Sequence, residues 1–247
     1  TEFIDIDSYG RFEAMANRDS LNYREIYGLQ DALTLYRGTI RRVGFCRAWN
    51  IFVQLGMTDD SYVMEGSETM SYRDFTNSFL PYKPHDSVEL KLRHYLKIDQ
   101  DDVIWDKLLE LDIFNPDKII GLKGATPAQI LQRILMDSWT LEADDKDMIV
   151  MYHVFGYELD GRKEQIVSNM VIIGEDQTYT AMAKTVGLPV AMAALAILNK
   201  KITEPGIKLP ISKEVYDPIL KELQEHGIEF KEKKEDYLGY NPHNLGA

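Results

Sequence analysis

From Met57 to Thr140 the apolar residues recur three or four apart, while on either side they alternate or run on continuously. This switch of period constrains the chain more than any other feature, because a helical pattern cannot be satisfied as a strand, nor a strand pattern as a helix. Ser71–Leu80, Val88–Leu96, Val103–Leu111 and Pro127–Trp139 each carry the helical spacing, and Thr126 before Pro127 gives the last a cap and a preset first turn. Asp99-Gln100-Asp101-Asp102 lacks the glycine and closing glutamate of a calcium loop, so it reads as a solvated helix start.

The flanks carry strands. Phe3–Asp7 alternates, and Asp147–Phe155 and Gln165–Ile173 flank Asp160-Gly161, a dipeptide suited to the positive φ of a tight hairpin turn. His153 on the first of these two runs has no orienting carboxylate in sequence and is read as structural. Gly44–Leu55 places Phe45, Ala48, Trp49, Phe52, Val53 and Leu55 at helical spacing and closes on Gly56, as a helix packing on a sheet. Cys46, within it, reads as a buried, inert thiol. Thr180 caps a helix of small residues to Leu198, with a bend expected at Gly187 and Pro189, and its N-terminal amides could receive an anion, although close packing is the better reading. Ser212 caps Lys213–Glu225, which Pro218 should kink; Ile228–Phe230 reads as a last strand, and the polar tail from Lys231 as loose. The fold class is α/β (α+β): a mixed sheet flanked by helices with an all-helical insertion. Its divisions are 1–56 with 141–210 as the α/β domain, 57–140 as the insertion, and 211–247 as a C-terminal helix, short strand and tail.

Charge narrows function. The chain holds 28 Lys and Arg against 40 Asp and Glu, a net −12, which disfavours nucleic acid and anionic membrane as partners. No apolar run is read as reaching the roughly 18 residues a membrane span needs. Thr1–Asp7 is acidic and lacks a signal-peptide pattern, and Cys46 is the only cysteine, so a reducing cytoplasmic location is expected. Against the acidic background, Arg37, Arg41, Arg42 and Arg47 fall within eleven residues. As a strand, Thr34–Arg42 would put Arg37, Thr39 and Arg41 on one face, two guanidinium forks around a hydroxyl, suited to a carboxylate. Gly38 would admit a close approach. Composition alone favours a blander outcome, in which these arginines pair with acidic side chains at a solvated sheet edge.

Asn17-Arg18-Asp19-Ser20, Glu25-Ile26-Tyr27-Gly28 and Arg37-Gly38-Thr39-Ile40-Arg41 together resemble the glutamate-forming saccharopine dehydrogenases. Thr180–Pro189 with Ala191–Ala194, and Lys213–Leu220, resemble the same family, whereas 57–140 matches it weakly. The resemblance implies an NAD- or NADP-dependent oxidoreductase of lysine metabolism that interconverts saccharopine with glutamate and aminoadipate semialdehyde. It implies Arg18, Thr39, Ile40 and Arg41 as substrate-binding residues, Ile40 through its backbone, and a homodimer. The dinucleotide would be held by a domain absent from this chain, since no Gly-x-Gly-x-x-Gly follows a strand here; the chain alone is therefore not expected to turn over. No Ser/His/Asp set and no metal-ligand spacing is recognisable, and no catalytic acid or base is assigned. Two other readings stay open: a stand-alone binding or dimerisation module without catalysis, and a dehydrogenase of a carboxylated polyamine, which would require acidic contacts where arginines stand.

Overall fold

A tight turn between consecutive strands forces an antiparallel hairpin, and two such turns seed the sheets. In the computed structural model, which describes residues 2–99, 101–237 and 239, strand β1 (Glu2–Ile6) turns through Ser8 at φ 70° into β2 (Gly10–Ala16). Strand β3 (Gly38–Arg42) then adds to the other side of β2. A second sheet forms from β4 (Met148–Leu159) and β5 (Arg162–Ile173), joined at Asp160 (φ 51°) and Gly161 (φ 73°) as their sequence predicts. Its third strand, β6 (Lys231–Glu235), pairs with β5 from Gln165 to Asn169. The α/β class with a helical insertion holds. The strands, expected in one mixed sheet, divide among the described residues into two antiparallel sheets of three: a tight turn makes each hairpin, and a third strand returns after a longer connection, through α1 for β3 and through two further helices for β6.

Helices follow their caps. A one-turn α1 (Tyr23–Ile26) lies between β2 and β3, and α2 (Phe45–Leu55) starts after Gly44 and stops at Gly56, both left-handed. The insertion contains α3 (Tyr72–Ser78), α4 (Val88–Leu96), α5 (Val103–Glu110) and α6 (Pro127–Trp139). Ser71, Ser87, Asp102 and Thr126 each accept a first-turn amide, and Ser71 and Thr126 complete capping boxes with Asp74 and Gln129. Asp102 also pairs with Arg47 at 2.8 Å, so the acidic run before α5 is a helix start; Gln100 within it lies outside the described residues.

The larger apolar core belongs to these helices, and α2 is part of it: Ile51, Phe52 and Leu55 are buried with Phe75, Leu92, Leu108 and Ile134. Thus α2, expected to pack on a sheet, leaves the first sheet at its N-terminus and enters the helical core with its C-terminal half. A smaller core lies between β5, α7 (Ala181–Leu198) and α8 (Lys213–Glu225), around Met170, Met192, Ile219 and Leu223.

Three expectations change. Helix α7 includes both Gly187 and Pro189, and by length and composition it could span a bilayer, whereas the sequence shows no uninterrupted run of that length because Lys184 and Thr185 break it. The last strand is Lys231–Glu235 rather than Ile228–Phe230: Ile228 and Phe230 instead pack in the smaller core, and the charged run that follows forms the β5 ladder. Lys231–Glu235 is therefore ordered strand rather than loose tail, while Leu238 and residues 240–247 lie outside the described residues.

His153 on β4 is half-buried, stacked on Phe155 and 5.5 Å from the Phe230 ring. Burial pushes its pKa below the ordinary 6.5, against a smaller opposing effect from the Ser168 backbone. The unfolded chain then binds the proton more readily, so the contribution of His153 is complete above about pH 6.5 and is lost as the pH falls below it. Urea midpoints measured from pH 7.5 to 5 should fall more steeply for the wild type than for His153→Leu; equal slopes would refute the assignment.

Candidate functional site

Glu13 sits in the middle of β2, opposite Arg41 on β3, with only 3% of its surface exposed. A buried carboxylate must be satisfied, and the start of α2 does so: Glu13 accepts the Gly44 amide at 3.1 Å and the Cys46 amide through its other oxygen. Negative charge at a helix N-terminus is also favoured by the aligned peptide dipoles. The contact fixes α2 against the sheet, carrying Phe45 under the Arg41 guanidinium at 5.4 Å. Cys46, expected to be buried, is half-buried, its Sγ 3.9 Å from Met15 Sδ.

The arginines are arranged differently from the sequence expectation. Strand β3 begins at Gly38, so Arg37 precedes it and does not share a face with Thr39 and Arg41; Arg37 donates to the Tyr23 hydroxyl at 3.2 Å and covers that ring. Gly38 is where the backbones close up, since a Cβ there would stand 2.9 Å from the Met15 carbonyl. The Thr39 hydroxyl accepts from Asn17 at 2.6 Å, tying the loop after β2 to β3. Arg41 donates to the Ile40 carbonyl at 2.8 Å, and Ile40 turns its side chain to the other face, opposite Ala14. Arg42 donates to the Tyr9 carbonyl at 2.9 Å and lies over Phe12. Arg18 is exposed and left-handed at φ 62°, a conformation that costs a β-carbon residue about 1 kcal/mol.

Of the clustered arginines, Arg47 alone meets a carboxylate. Arg18, Arg41 and Arg42 have none among the described residues, although acidic side chains outnumber basic ones. The sheet-edge pairing that composition favours is therefore met at Arg47 and absent at Arg37, Arg41 and Arg42 among the described residues. Arg18 lies five residues beyond the one opposite Arg41, up to roughly 17 Å along the chain at about 3.3 Å per residue. The two guanidiniums suit separate anionic groups of one extended ligand better than a single carboxylate.

A cleft of about 460 Å³ opens beside Arg41, between β3, α2 and the helical insertion. Arg41, Arg42 and Lys107 supply its positive charge, and Phe45, Trp49 and Trp139 its apolar wall, with ring centroids 5.9 Å apart for Phe45–Trp49 and 6.5 Å for Trp49–Trp139. Sequence reasoning missed this cleft. The spacing of Phe45 and Trp49 is visible locally, but nothing in sequence connects them to Lys107 or Trp139. A broader hollow beside Lys163 and Lys234 is shallow and crossed by its own Lys234–Glu164 pair.

A dinucleotide has no matching site among the described residues. Both sheets are antiparallel, so no β-α-β crossing presents a glycine-rich turn. The starts of α2 and α7 are already filled, α2 by Glu13 and α7 by Asp147, whose two oxygens accept the Ala181 and Met182 amides. The sequence suggestion that α7 could receive an anion is thus met from within the chain.

Residues 1–228 match the family model described as saccharopine dehydrogenase C-terminal domain. Over 223 residues the chain is 33% identical to the mitochondrial alpha-aminoadipic semialdehyde synthase of Rattus norvegicus, covering 88% of this chain and 24% of that protein. Over 229 residues it is 32% identical to the saccharopine dehydrogenase [NADP(+), L-glutamate-forming] of Saccharomyces cerevisiae, covering 90% of this chain and 51% of that one. The apo structure of the L-Glu-forming saccharopine dehydrogenase from S. cerevisiae superposes with a TM-score of 0.82 at 30% identity, over 96% of this chain and 54% of that one. The chain thus spans about half of the yeast enzyme and about a quarter of the rat one.

Glu13→Gln keeps the shape but replaces one accepting oxygen with an NH2 group facing an amide donor, so unfolding free energy should drop by about 2 kcal/mol. Urea denaturation checks this, and an unchanged midpoint would show that α2 does not depend on the charge.

Proposed function

The chain belongs to the saccharopine dehydrogenase C-terminal domain family, and from that premise we propose that it is the substrate-binding portion of an enzyme of lysine metabolism that interconverts saccharopine with glutamate and aminoadipate semialdehyde. One observation carries the reading: in a chain of net charge −12, Arg18, Arg41 and Arg42 have no carboxylate partner among the described residues. Saccharopine carries three carboxylates, and spaced guanidiniums bind such groups through charge-assisted hydrogen bonds. Arg18 and Arg41 hold its two ends, Thr39 steadies the loop through Asn17, and Ile40 offers its backbone beside Arg41. The contribution of these residues to turnover is to position the carbon next to the secondary amine for oxidation. A carboxylated polyamine, with more positive charge, would meet cations here, which disfavours that alternative.

The hydride acceptor, NAD or NADP, is carried on a part of the enzyme outside these 247 residues; the partial coverage of the relatives and the NADP(+) in the yeast enzyme's name support this. The enzyme is a homodimer, supported by α7, where Met182, Val186 and Val190 form an exposed apolar stripe. In this reading the exposed apolar face of α7 meets a second copy rather than a bilayer, the net charge of −12 disfavours nucleic acid and anionic membrane as partners, and the lone cysteine fits a cytoplasmic compartment.

In the complete enzyme, saccharopine should drive reduction of NAD or NADP. Arg18→Ala and Arg41→Ala should each raise the KM for saccharopine at least about tenfold, the loss of one charge-assisted contact. Unchanged constants in both variants would overturn the site. Val186→Asp should shift the mass measured by light scattering from dimer towards monomer; an unaltered dimer would exclude α7 from the interface.

A further inference from the structure

Resting on the saccharopine reading above, we propose that the cleft between β3, α2 and the helical insertion receives the lysyl arm of the substrate, and that Lys107 on the insertion selects its amino-acid head. Such an arm has a carboxylate and an ammonium at one end and a chain of methylenes leading to the secondary amine. It therefore requires cations, one carboxylate and an apolar wall within a single cavity.

The cleft supplies all three. Arg41 and Arg42 stand on the β3 side and Lys107 on the α5 side. Lys107 reaches across towards the start of α2: its Cε is 3.1 Å from where a Cβ on Gly44 would lie. Glu13 already occupies the amides at the start of α2, and Lys107 itself has no carboxylate partner among the described residues. A bound carboxylate would give Lys107 its missing partner while engaging Arg41. Glu110, one helical turn from Lys107, also lines the cleft and provides the acceptor for the ammonium. The methylenes would run along Phe45, Trp49 and Trp139, which explains why Trp139 stays 52% exposed at the end of α6. At about 460 Å³ the cavity falls within the roughly 300–1,000 Å³ typical of small-molecule sites. Arg18, far along the chain from Arg41, is left to the glutaryl end. The helical insertion would then set substrate specificity, through residues that share no sequence segment with the arginines.

The test uses the complete enzyme with saccharopine and an analogue lacking the carboxylate of the lysyl arm. Wild-type enzyme should prefer saccharopine in kcat/KM. Lys107→Met, which keeps the aliphatic stem, should raise the KM for saccharopine about tenfold with kcat within about twofold, and should shrink the preference over the analogue by a similar factor. Lys107→Arg should restore most of both. Trp139→Ala, at the rim, should raise the KM for both compounds alike and leave the preference intact. Unchanged preference in Lys107→Met, with active wild type, would overturn the cleft assignment alone. If the wild type reduces no nucleotide with saccharopine, the functional reading itself fails.

Discussion

The buried carboxylate of Glu13 is the contact on which the site depends. It lies in β2, yet its hydrogen bonds are to the first amides of α2, so it is the joint between the first sheet and a helix whose far half is built into the helical core. Everything around Arg41 follows from this joint. Phe45 is under the guanidinium because α2 begins where Glu13 holds it, and Trp49 meets Trp139 because α2 continues at that angle into the insertion. A carboxylate serves here where an amide would not, since two backbone donors converge on it and the helix dipole favours its charge.

The same device recurs at α7, where Asp147, just before β4, takes the first amides. Gly174 is required beside it, because a Cβ there would strike the Asp147 oxygen and the start of α7. Both helices are thus anchored by an internal anion. Neither helix start is left for an external anion, whereas a guanidinium on a long side chain could adapt to one while the backbone stays fixed.

Much of the fold was legible because its signals are local. Thr126 with Pro127 and Gln129, Ser87, Asp102, and the Gly44 to Gly56 bracket state where helices begin or end within a few residues, and Asp160-Gly161 states a hairpin. Arg41 and Thr39 could be picked out by charge and alternation, but Arg37 could not be placed, since the strand start at Gly38 depends on the Met15 carbonyl across the ladder. The role of Glu13 was invisible, because an acidic residue in a strand ordinarily faces water. Lys107 and Trp139 join the cleft only through tertiary packing, and β6 has no apolar alternation to announce it.

That charged strand has a consequence for the second sheet. Its two edges are unlike: β6 is short and made only of Lys and Glu, while β4 presents twelve residues rich in Val, Ile, Met and Phe. Lysines along an exposed edge discourage a foreign strand from docking, whereas a long apolar edge invites one. The sheet therefore has a direction of growth, closed by charge at β6 and open at β4, and any added strand would lie next to Met148, where Arg42 already reaches from the first sheet.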